Sequence, residues 1–272
     1  MNQGQPLDAA PPAAPAASQR RNPRPPRKTN AERAATEQEH LNLVMTAAHT
    51  TIRILVQNNC YAAVFGSLAC NLYGNSRCPK DADILVFPPA GVTTDAEAIK
   101  RLLVATAPRQ FYLKNARDPA ATYRILWFHL PPRRRETKVD ILIPGTSGMS
   151  LPVIPVPRIR WASGVPLAPF PFILLHKLKG WADHRDAPET FKRARQATDA
   201  ADVRRLLEIT TETRVLEMLA EWWKDQELFD EALQTDSVDR VRQYCLEFPG
   251  RAPRWRALGF DVPELTPPAA TQ

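Results

Sequence analysis

Apolar residues in the first quarter of the chain recur with a helical period. From Ala31 to Asn58 they return every three or four positions, through Leu41, Met45 and Ile52. This spacing predicts a long amphipathic helix, and Asn30 is the residue type that caps a helix at its first turn.

A different pattern follows, in which short apolar runs alternate with turn residues. Five runs predict strands: "YAAVF", "DADILVF", "RQFYLK", "TYRILWFHL" and "TKVDILIPG". A helical turn from Ser67 to Tyr73 and a helix in "TDAEAIKRLLVATA", capped by Thr94, are expected between them. Strands interleaved with helices up to about Gly145 predict a mixed β-sheet with flanking helices, an α+β fold.

The second half of the chain has a helical pattern throughout. A proline-rich passage, "LPVIPVPRIRWASGVPLAPFP", separates it from the predicted sheet. Helical periodicity then marks "PFILLHKLKGWADH", "ETFKRARQATDAADVRRLLEIT", "ETRVLEMLAEWWKD" and "VDRVRQYCLEF", and the Trp222-Trp223 pair is expected to pack helices together. We therefore predict a disordered tail over 1–30, an α/β domain over 31–165, a helical domain over 166–262 and a second tail over 263–272.

Composition and charge refine this picture. A chain of 272 residues with 44% hydrophobic residues can bury a substantial core, but seven of its 27 prolines fall in the first 30 positions. That Pro/Ala-rich and Arg-rich tail has no apolar periodicity, and it carries +4 of the net charge of +7. The remainder is nearly balanced, so the total charge is weak support for a nucleic-acid partner.

Cysteine spacing and hydropathy indicate in which part of the cell the protein is located. The four cysteines, of which Cys70 and Cys78 are closest together, show no CxxC spacing, which favours reduced thiols in an intracellular protein over a zinc site. No apolar run approaches the roughly 18 residues of a membrane span. We expect a cytoplasmic protein without membrane partners, with nuclear localisation as the alternative because of the basic tail.

Two aspartates stand together at the start of the strand "DADILVF". Residues i and i+2 of a strand face the same side, so Asp81 and Asp83 project together while Ala82 faces away. Two carboxylates held this close repel when both are ionised, unless they share a proton or bind a cation. A solvated pair of acids next to a turn is the alternative interpretation.

A third aspartate has the same setting. Asp140 in "KVDILIPG" also stands beside an apolar strand core, so if the two strands are neighbours, three carboxylates converge. Oxygen ligands of this kind suit Mg²⁺. Two such ions, about 3.5–4 Å apart, can activate an attacking oxygen and neutralise a leaving pyrophosphate.

Before the acids lies a Gly-Ser pair at a predicted strand-to-helix junction. Gly66 permits close approach of the backbone, and the Ser67 hydroxyl with the N–H groups of the following helix can donate to an anion. Taken alone, the pair is more typical of a tight turn than of an anion site.

Together these residues resemble a known family. Gly66-Ser67, a spacer, Asp81-Ala82-Asp83 in an apolar run and a later Asp140 resemble the active-site signature of the nucleotidyltransferase superfamily typified by DNA polymerase β, over about residues 61 to 145. The resemblance implies that Asp81 and Asp83 bind both metal ions and that Asp140 completes the ion that activates the acceptor hydroxyl. It also implies that Gly66, Ser67 and the adjacent backbone hold the nucleotide phosphates, and that the cofactor is magnesium, with manganese as the second choice.

A lysine in the apolar stripe of a predicted helix adds a second resemblance. Lys177 lies near the centre of the stripe of "FPFILLHKLKGW", and "ATDAADVRRLL" places Asp199 and Asp202 on one helical face. An internal Lys–Asp pair joining two helices explains this as well as a lysine that contacts a triphosphate. The segment is similar to one in small AbiEii-like and antibiotic-modifying nucleotidyltransferases. This similarity implies that Lys177 binds the nucleotide and that Asp199 and Asp202 support it, although Thr198 replaces the expected basic residue.

Three functions are compatible with the sequence. The first is a metal-dependent nucleotidyltransferase that moves a nucleoside monophosphate from a nucleoside triphosphate to a hydroxyl of RNA, protein or a small molecule and releases pyrophosphate. The second is an inactive nucleotide-binding or scaffold protein with the same fold. The third is an RNA-modifying enzyme that uses the basic tail and the cluster Arg133, Arg134 and Arg135, which is also typical of a solvated turn.

Overall fold

A mixed sheet of seven strands organises the first two thirds of the chain. A computed structural model describes residues 29–89, 91–131, 135–145, 151–212 and 222–263, so the predicted tails lie outside the described residues apart from 29, 30 and 263. The strands are β1 Tyr61–Phe65, β2 Asp81–Phe87, β3 Phe111–Asn115, β4 Arg124–His129, β5 Glu136–Leu142, β6 Arg160–Ala162 and β7 Val165–Leu167. Their order is β3-β4-β5-β2-β1-β7-β6, and the pairs β2–β5 and β1–β7 are parallel. The five predicted strands and the α+β class are confirmed.

Eight helices accompany the sheet in the described residues. They are α1 Asn30–Gln57, α2 Gly66–Leu72, α3 Ala96–Thr106, α4 Phe170–Asp186, α5 Thr190–Arg193, α6 Gln196–Glu212, α7 Glu231–Glu247 and α8 Ala252–Ala257. Helix α1 packs on β1, β2 and β5, α3 packs on β3 and β5, and α2 contacts β1, β2 and α4. The central strand β1 has a continuous buried run from Ala62 to Val64, as expected for a strand covered on both faces.

Two predicted helix caps are wrong by one residue. Helix α1 is capped by Thr29, not Asn30: the Thr29 hydroxyl accepts from the Glu32 N–H at 3.2 Å, and Glu32 accepts from the Thr29 N–H at 2.7 Å. This reciprocal capping box satisfies two N–H groups, more than Asn30 alone could. Helix α3 is capped by Asp95, not Thr94, and aspartate is the stronger cap of the two.

The proline-rich passage is part of the sheet as well as a connection. It contains the hairpin of β6 and β7, and β7 extends the sheet beside β1, with Val64 opposite Leu167. The Ala168 N–H donates to the Val64 carbonyl at 3.0 Å. The predicted boundary between residues 165 and 166 therefore falls inside a strand. The sequence does not predict these strands because the prolines of the passage, which cannot donate to a ladder, indicate turns rather than strands.

The helical second half packs on itself and on the sheet. Trp181 of α4 meets Tyr244 of α7 with ring centroids 5.0 Å apart, and the Tyr244 hydroxyl donates to the Ala200 carbonyl at 3.0 Å. Phe172 of α4 contacts Phe65 at the end of β1, with centroids 5.7 Å apart. Helix α4 is thereby fixed beside the end of β1, where α2 begins.

Two details complete the description. The predicted helix 212–225 lies mostly outside the described residues, and Trp222–Lys224 forms a 3₁₀ turn whose buried Trp222 packs on Phe229 and Phe260. No helix within the described ranges is both long enough and apolar enough to cross a bilayer.

Candidate active site

Three aspartates and one lysine form one wall of a cavity at the sheet. Strands β2 and β5 are parallel neighbours, so the condition under which the three carboxylates converge is met. Their register places Asp81 opposite Lys138 and Asp83 opposite Asp140. Because alternate residues of a strand share a face, these four side chains lie on the same side of the sheet. All four line a cavity of about 510 Å³.

The carboxylates of this wall repel one another. Burial, followed by the charges of Asp81 and Asp140, raises the pKa of Asp83 to about 7. Burial also raises the pKa of Asp140, against the opposing effect of Lys138. The wall therefore holds more negative charge than its own groups neutralise, and a cation would relieve this repulsion.

Lys138 supplies part of the missing charge. Its Nζ lies 2.5 Å from Asp140 Oδ2, and both side chains are about one third exposed. Burial opposes the charge on Lys138, but Asp140 and the two other aspartates outweigh it and raise the lysine pKa. The sequence interpretation missed this residue, although its place two positions before Asp140 puts both on one strand face.

The Gly-Ser pair stands directly against the acids. Gly66 has φ +59°, and a Cβ at this position would lie 2.7 Å from the Asp83 Cγ, so a residue without a side chain is required there. Ser67 is 8% exposed and lines the same cavity at the start of α2. The N-cap residue Phe65 has no side-chain acceptor, so the first N–H groups of α2 are not capped by it.

Lys177 takes part in an ion-pair network that joins α4, α6 and the loop before β2. Its Nζ lies 3.1 Å from Asp202 Oδ2 and 3.7 Å from Asp199 Oδ1. Arg77 donates to both oxygens of Asp202, at 2.8 and 2.5 Å, and the Asn75 amide donates to it at 3.0 Å. Asp202 is 1% exposed. The internal Lys–Asp pair is therefore present, and Lys177 also lines the cavity.

The charge state of this network follows from its contacts. Burial would raise the pKa of Asp202, but the hydrogen bond from Arg77 and the charge of Lys177 outweigh it and lower that pKa. Burial opposes the charge on Lys177, yet interactions with Cys70, Asp202 and Asp199 raise its pKa. Asp202 thus stays ionised and holds two cations, which stabilises the loop from Gly74 to Lys80.

Further hydrogen bonds hold the same loop at its two ends. The Asn71 amide donates to the carbonyls of Asn75 and Arg77 at 3.0 and 3.3 Å. The Lys80 carbonyl accepts from the Thr137 hydroxyl at 3.2 Å and lies 3.2 Å from His40 Nε2. The segment between Ser67 and Asp81 is therefore held in place on both sides.

A histidine that the sequence interpretation did not select also faces the cavity. His184 Nδ1 lies 2.6 Å from Asp199 Oδ2. His184 follows Lys177 by seven residues, so both lie on one face of α4, and this spacing was the available signal. Arg195 and Thr198, just before and within α6, complete this side of the cavity.

Of the predicted arginine cluster, the structure describes Arg135. Arg133 and Arg134 lie outside the described residues. Arg135 pairs with Glu39 of α1 and lines a separate cavity of about 350 Å³ with Leu130 and Pro131.

The donor set suits a divalent metal ion in the type of its ligands. Three carboxylates stand on one wall of one cavity, and carboxylate oxygens are the ligands that magnesium and manganese take. As the side chains stand, no group of three His, Cys, Asp or Glu residues in the described part of the chain is close enough to enclose an ion. Asp140 is paired with Lys138 in this arrangement.

The chain shares its fold with a protein of known structure. An antigenic nucleotidyltransferase-like protein from Paracoccidioides brasiliensis has a crystal structure that is similar at a TM-score of 0.55 and 15% sequence identity, over 81% of this chain and 94% of its own. JHP933 from Helicobacter pylori matches at 12% identity over 82% and 98% of the two chains with a TM-score of 0.35. The antibiotic-resistance factor ANT(2'')-Ia matches at 12% identity over 79% and 99% with a TM-score of 0.37. No protein-family model and no curated protein matches the chain.

Proposed function

We propose that this protein is a metal-dependent nucleotidyltransferase. It transfers a nucleoside monophosphate from a nucleoside triphosphate to a hydroxyl acceptor and releases pyrophosphate. The observation that carries the proposal is the register of β2 and β5, which sets Asp81, Asp83 and Asp140 on one cavity wall beside Gly66 and Ser67. A fold shared with a nucleotidyltransferase-like protein supports it.

The residues of the wall have distinct roles in this proposal. Asp81, Asp83 and Asp140 would hold magnesium or manganese, which supplies charge neutralisation at the α-phosphate and at the leaving pyrophosphate. Gly66 keeps the start of α2 against Asp83, so that the Ser67 hydroxyl and nearby N–H groups can donate to the phosphates.

The opposite side of the cavity positions the substrate. Lys177 is oriented by Asp202 and Asp199 and offers its ammonium group to the triphosphate. The acceptor oxygen then forms a bond to the α-phosphorus as the bond to the bridging oxygen breaks and pyrophosphate leaves. The acceptor hydroxyl transfers its proton to water. Catalysis of this kind depends on position and charge, so the loss of one carboxylate is expected to slow it by orders of magnitude.

A label-transfer experiment tests the proposal. The protein is incubated with each of the four α-labelled nucleoside triphosphates, Mg²⁺ and a cell extract separated into RNA, protein and small-molecule fractions, and pyrophosphate is measured in parallel. We expect label in one fraction with stoichiometric pyrophosphate. Asp83→Asn should abolish both, whereas Asp183→Asn, which changes an aspartate of α4 in an i,i+4 pair with Lys179, should not.

The inactive scaffold is the alternative favoured by one observation, the engagement of Asp140 by Lys138. It predicts that a nucleoside triphosphate binds without pyrophosphate release in any fraction. If folded protein gave this result, the proposed transferase activity would be wrong, but the proposed nucleotide-binding site would stand.

A further inference from the structure

Lys138 is the cation nearest to the third carboxylate of the proposed metal site. Its Nζ lies 2.5 Å from Asp140 Oδ2, and the sheet register places its backbone opposite Asp81. The ammonium group therefore stands among acids that the proposed function assigns to metal ions.

An ammonium group and a divalent ion compete for the same oxygen. Two cations at one carboxylate oxygen repel each other. While Lys138 holds Asp140, the three carboxylates do not enclose an ion, and no other His, Cys, Asp or Glu group in the described ranges does so. Metal binding at Asp140 thus requires that Lys138 find another anion.

The phosphates of a nucleotide bound in the cavity are the anions that Lys138 could contact instead of Asp140. A lysine ammonium lies on a flexible four-carbon stem and can change partners without movement of the backbone. Lys138 and Ser67 line the same cavity, so phosphates held at the start of α2 come within the space that the Lys138 side chain borders.

We propose that Lys138 is a positioning residue that exchanges Asp140 for the phosphates of the nucleotide, so that metal binding at Asp140 and nucleotide binding favour each other. This inference rests on the proposed function. The inference also extends the proposed function, because Asp140, the third metal ligand, becomes available only when a triphosphate is present. Free metal alone then binds weakly.

The first test measures Mn²⁺ binding in the absence of nucleotide, by the electron paramagnetic resonance signal of free Mn²⁺. We expect Lys138→Met to bind Mn²⁺ about tenfold more tightly than the wild-type protein, within the range of coupling between sites. Lys80→Met is the matched control, since Lys80 is an exposed lysine of the same cavity, and it should change the affinity much less. Equal effects of the two substitutions would overturn the proposal.

The second test measures nucleotide binding without metal, by titration of a fluorescent nucleoside triphosphate analogue in EDTA. Asp140→Asn should bind the analogue more tightly than the wild-type protein, because Lys138 is released, and Lys138→Met in that background should remove the gain. If Lys138→Met alone does not fold, the double variant can still be tested, because it replaces both Lys138 and Asp140 and leaves neither without its partner. A gain that survives in it would contradict the exchange.

The two proposals fail in different ways. If Lys138→Met binds Mn²⁺ no more tightly than the double variant of Lys138→Met and Asp83→Asn, the carboxylate wall is not a metal site and the proposed function fails. If Asp83→Asn weakens Mn²⁺ binding but Lys138→Met leaves it unchanged, the metal site stands and the exchange alone is wrong.

Discussion

Gly66 leaves the space that the Asp83 carboxylate fills. A Cβ at position 66 would lie 2.7 Å from the Asp83 Cγ, and the φ of +59° is one that L side chains rarely adopt. The first residue of the Gly-Ser pair and the second of the aspartate pair are thus parts of one packing arrangement.

Gly66→Ala should therefore damage both stability and the position of Asp83. We expect a loss of about 1–3 kcal/mol in the free energy of unfolding, the range for overpacked sites, and a fall in transfer activity of at least about tenfold. Urea denaturation and pyrophosphate release measure the two effects. Gly91→Ala is the matched control: Gly91 has φ +79°, and no atom of the described residues lies within 4 Å of its added Cβ.

A double-mutant cycle separates the clash from backbone strain. In an Asp83→Ala background the carboxylate is gone, so Gly66→Ala should cost less by about 0.5–3 kcal/mol, the range for residues in contact. An equal cost in both backgrounds would show that strain alone requires the glycine.

Asp202→Asn should be far more destabilising than the loss of a surface carboxylate. It leaves Arg77 and Lys177 without their shared anion inside the protein, and removal of one partner from a buried pair costs about 3–5 kcal/mol. Asp183→Asn removes an exposed partner of Lys179 and should cost less than about 1 kcal/mol. Similar midpoints of urea denaturation for the two variants would contradict the assigned role of Asp202.

The same residue gives a pH dependence with a definite sign. The pKa of Asp202 is lower in the folded than in the unfolded state, so its contribution to stability is complete above about pH 4 and is lost as the pH falls through its folded pKa. The difference in the free energy of unfolding between wild-type protein and Asp202→Asn should therefore shrink below about pH 4. Denaturation measured at intervals from pH 7 to pH 3 checks this.

His184 is expected to contact the nucleotide rather than perform the chemistry. Its Nδ1 is bound by Asp199, which leaves Nε2 as the ring nitrogen available to a substrate. Loss of one hydrogen bond to a charged group costs about 1.5–3 kcal/mol, so His184→Ala should raise KM for the nucleotide at least about tenfold. His49→Ala, on the exposed side of α1, serves as control. A fall in kcat at constant KM would assign His184 to catalysis instead.

The sequence predicts those parts of the fold that depend on local patterns. The apolar runs of β1 to β5 and the i, i+2 spacing of Asp81 and Asp83 are readable because strand geometry alone fixes which side chains share a face. The hairpin of β6 and β7 could not be predicted in this way. Pro166 and the prolines that flank the hairpin indicate turns, and the pairing of β7 with β1 joins residues about 100 positions apart.

Long-range contacts account for the part of the site that the sequence did not predict. The contacts of Asn75 and Arg77 with Asp202 cross more than 120 positions, and no local pattern marks them. Lys138 and His184 did carry signals, at two and seven residues from Asp140 and Lys177, but those signals acquire meaning only once the neighbouring element is known.

The metal-free protein should become more stable when Asp83 loses its charge. The pKa of Asp83 rises from near 3.8 to about 7 on folding, through burial and the charges of Asp81 and Asp140, so the folded state binds this proton more tightly than the unfolded state. Stability in EDTA should then fall as the pH rises from about 4 to 7 and level off above it. Asp83→Asn lacks the titrating group, and at pH 8 it should exceed the wild-type free energy of unfolding by about 1–3 kcal/mol, since one pKa unit corresponds to about 1.4 kcal/mol and partial exposure reduces the effect.

Metal should reverse this order of stability. Mn²⁺ or Mg²⁺ at the carboxylate wall stabilises only a protein that binds it, so the melting temperature of the wild-type protein should rise with metal concentration while that of Asp83→Asn stays nearly constant. The comparison is made at pH 8 in EDTA and in increasing metal, by thermal denaturation of both proteins. If Asp83→Asn is the less stable protein in EDTA, the carboxylate is satisfied without a cation, and the repulsion that motivates the metal site does not exist.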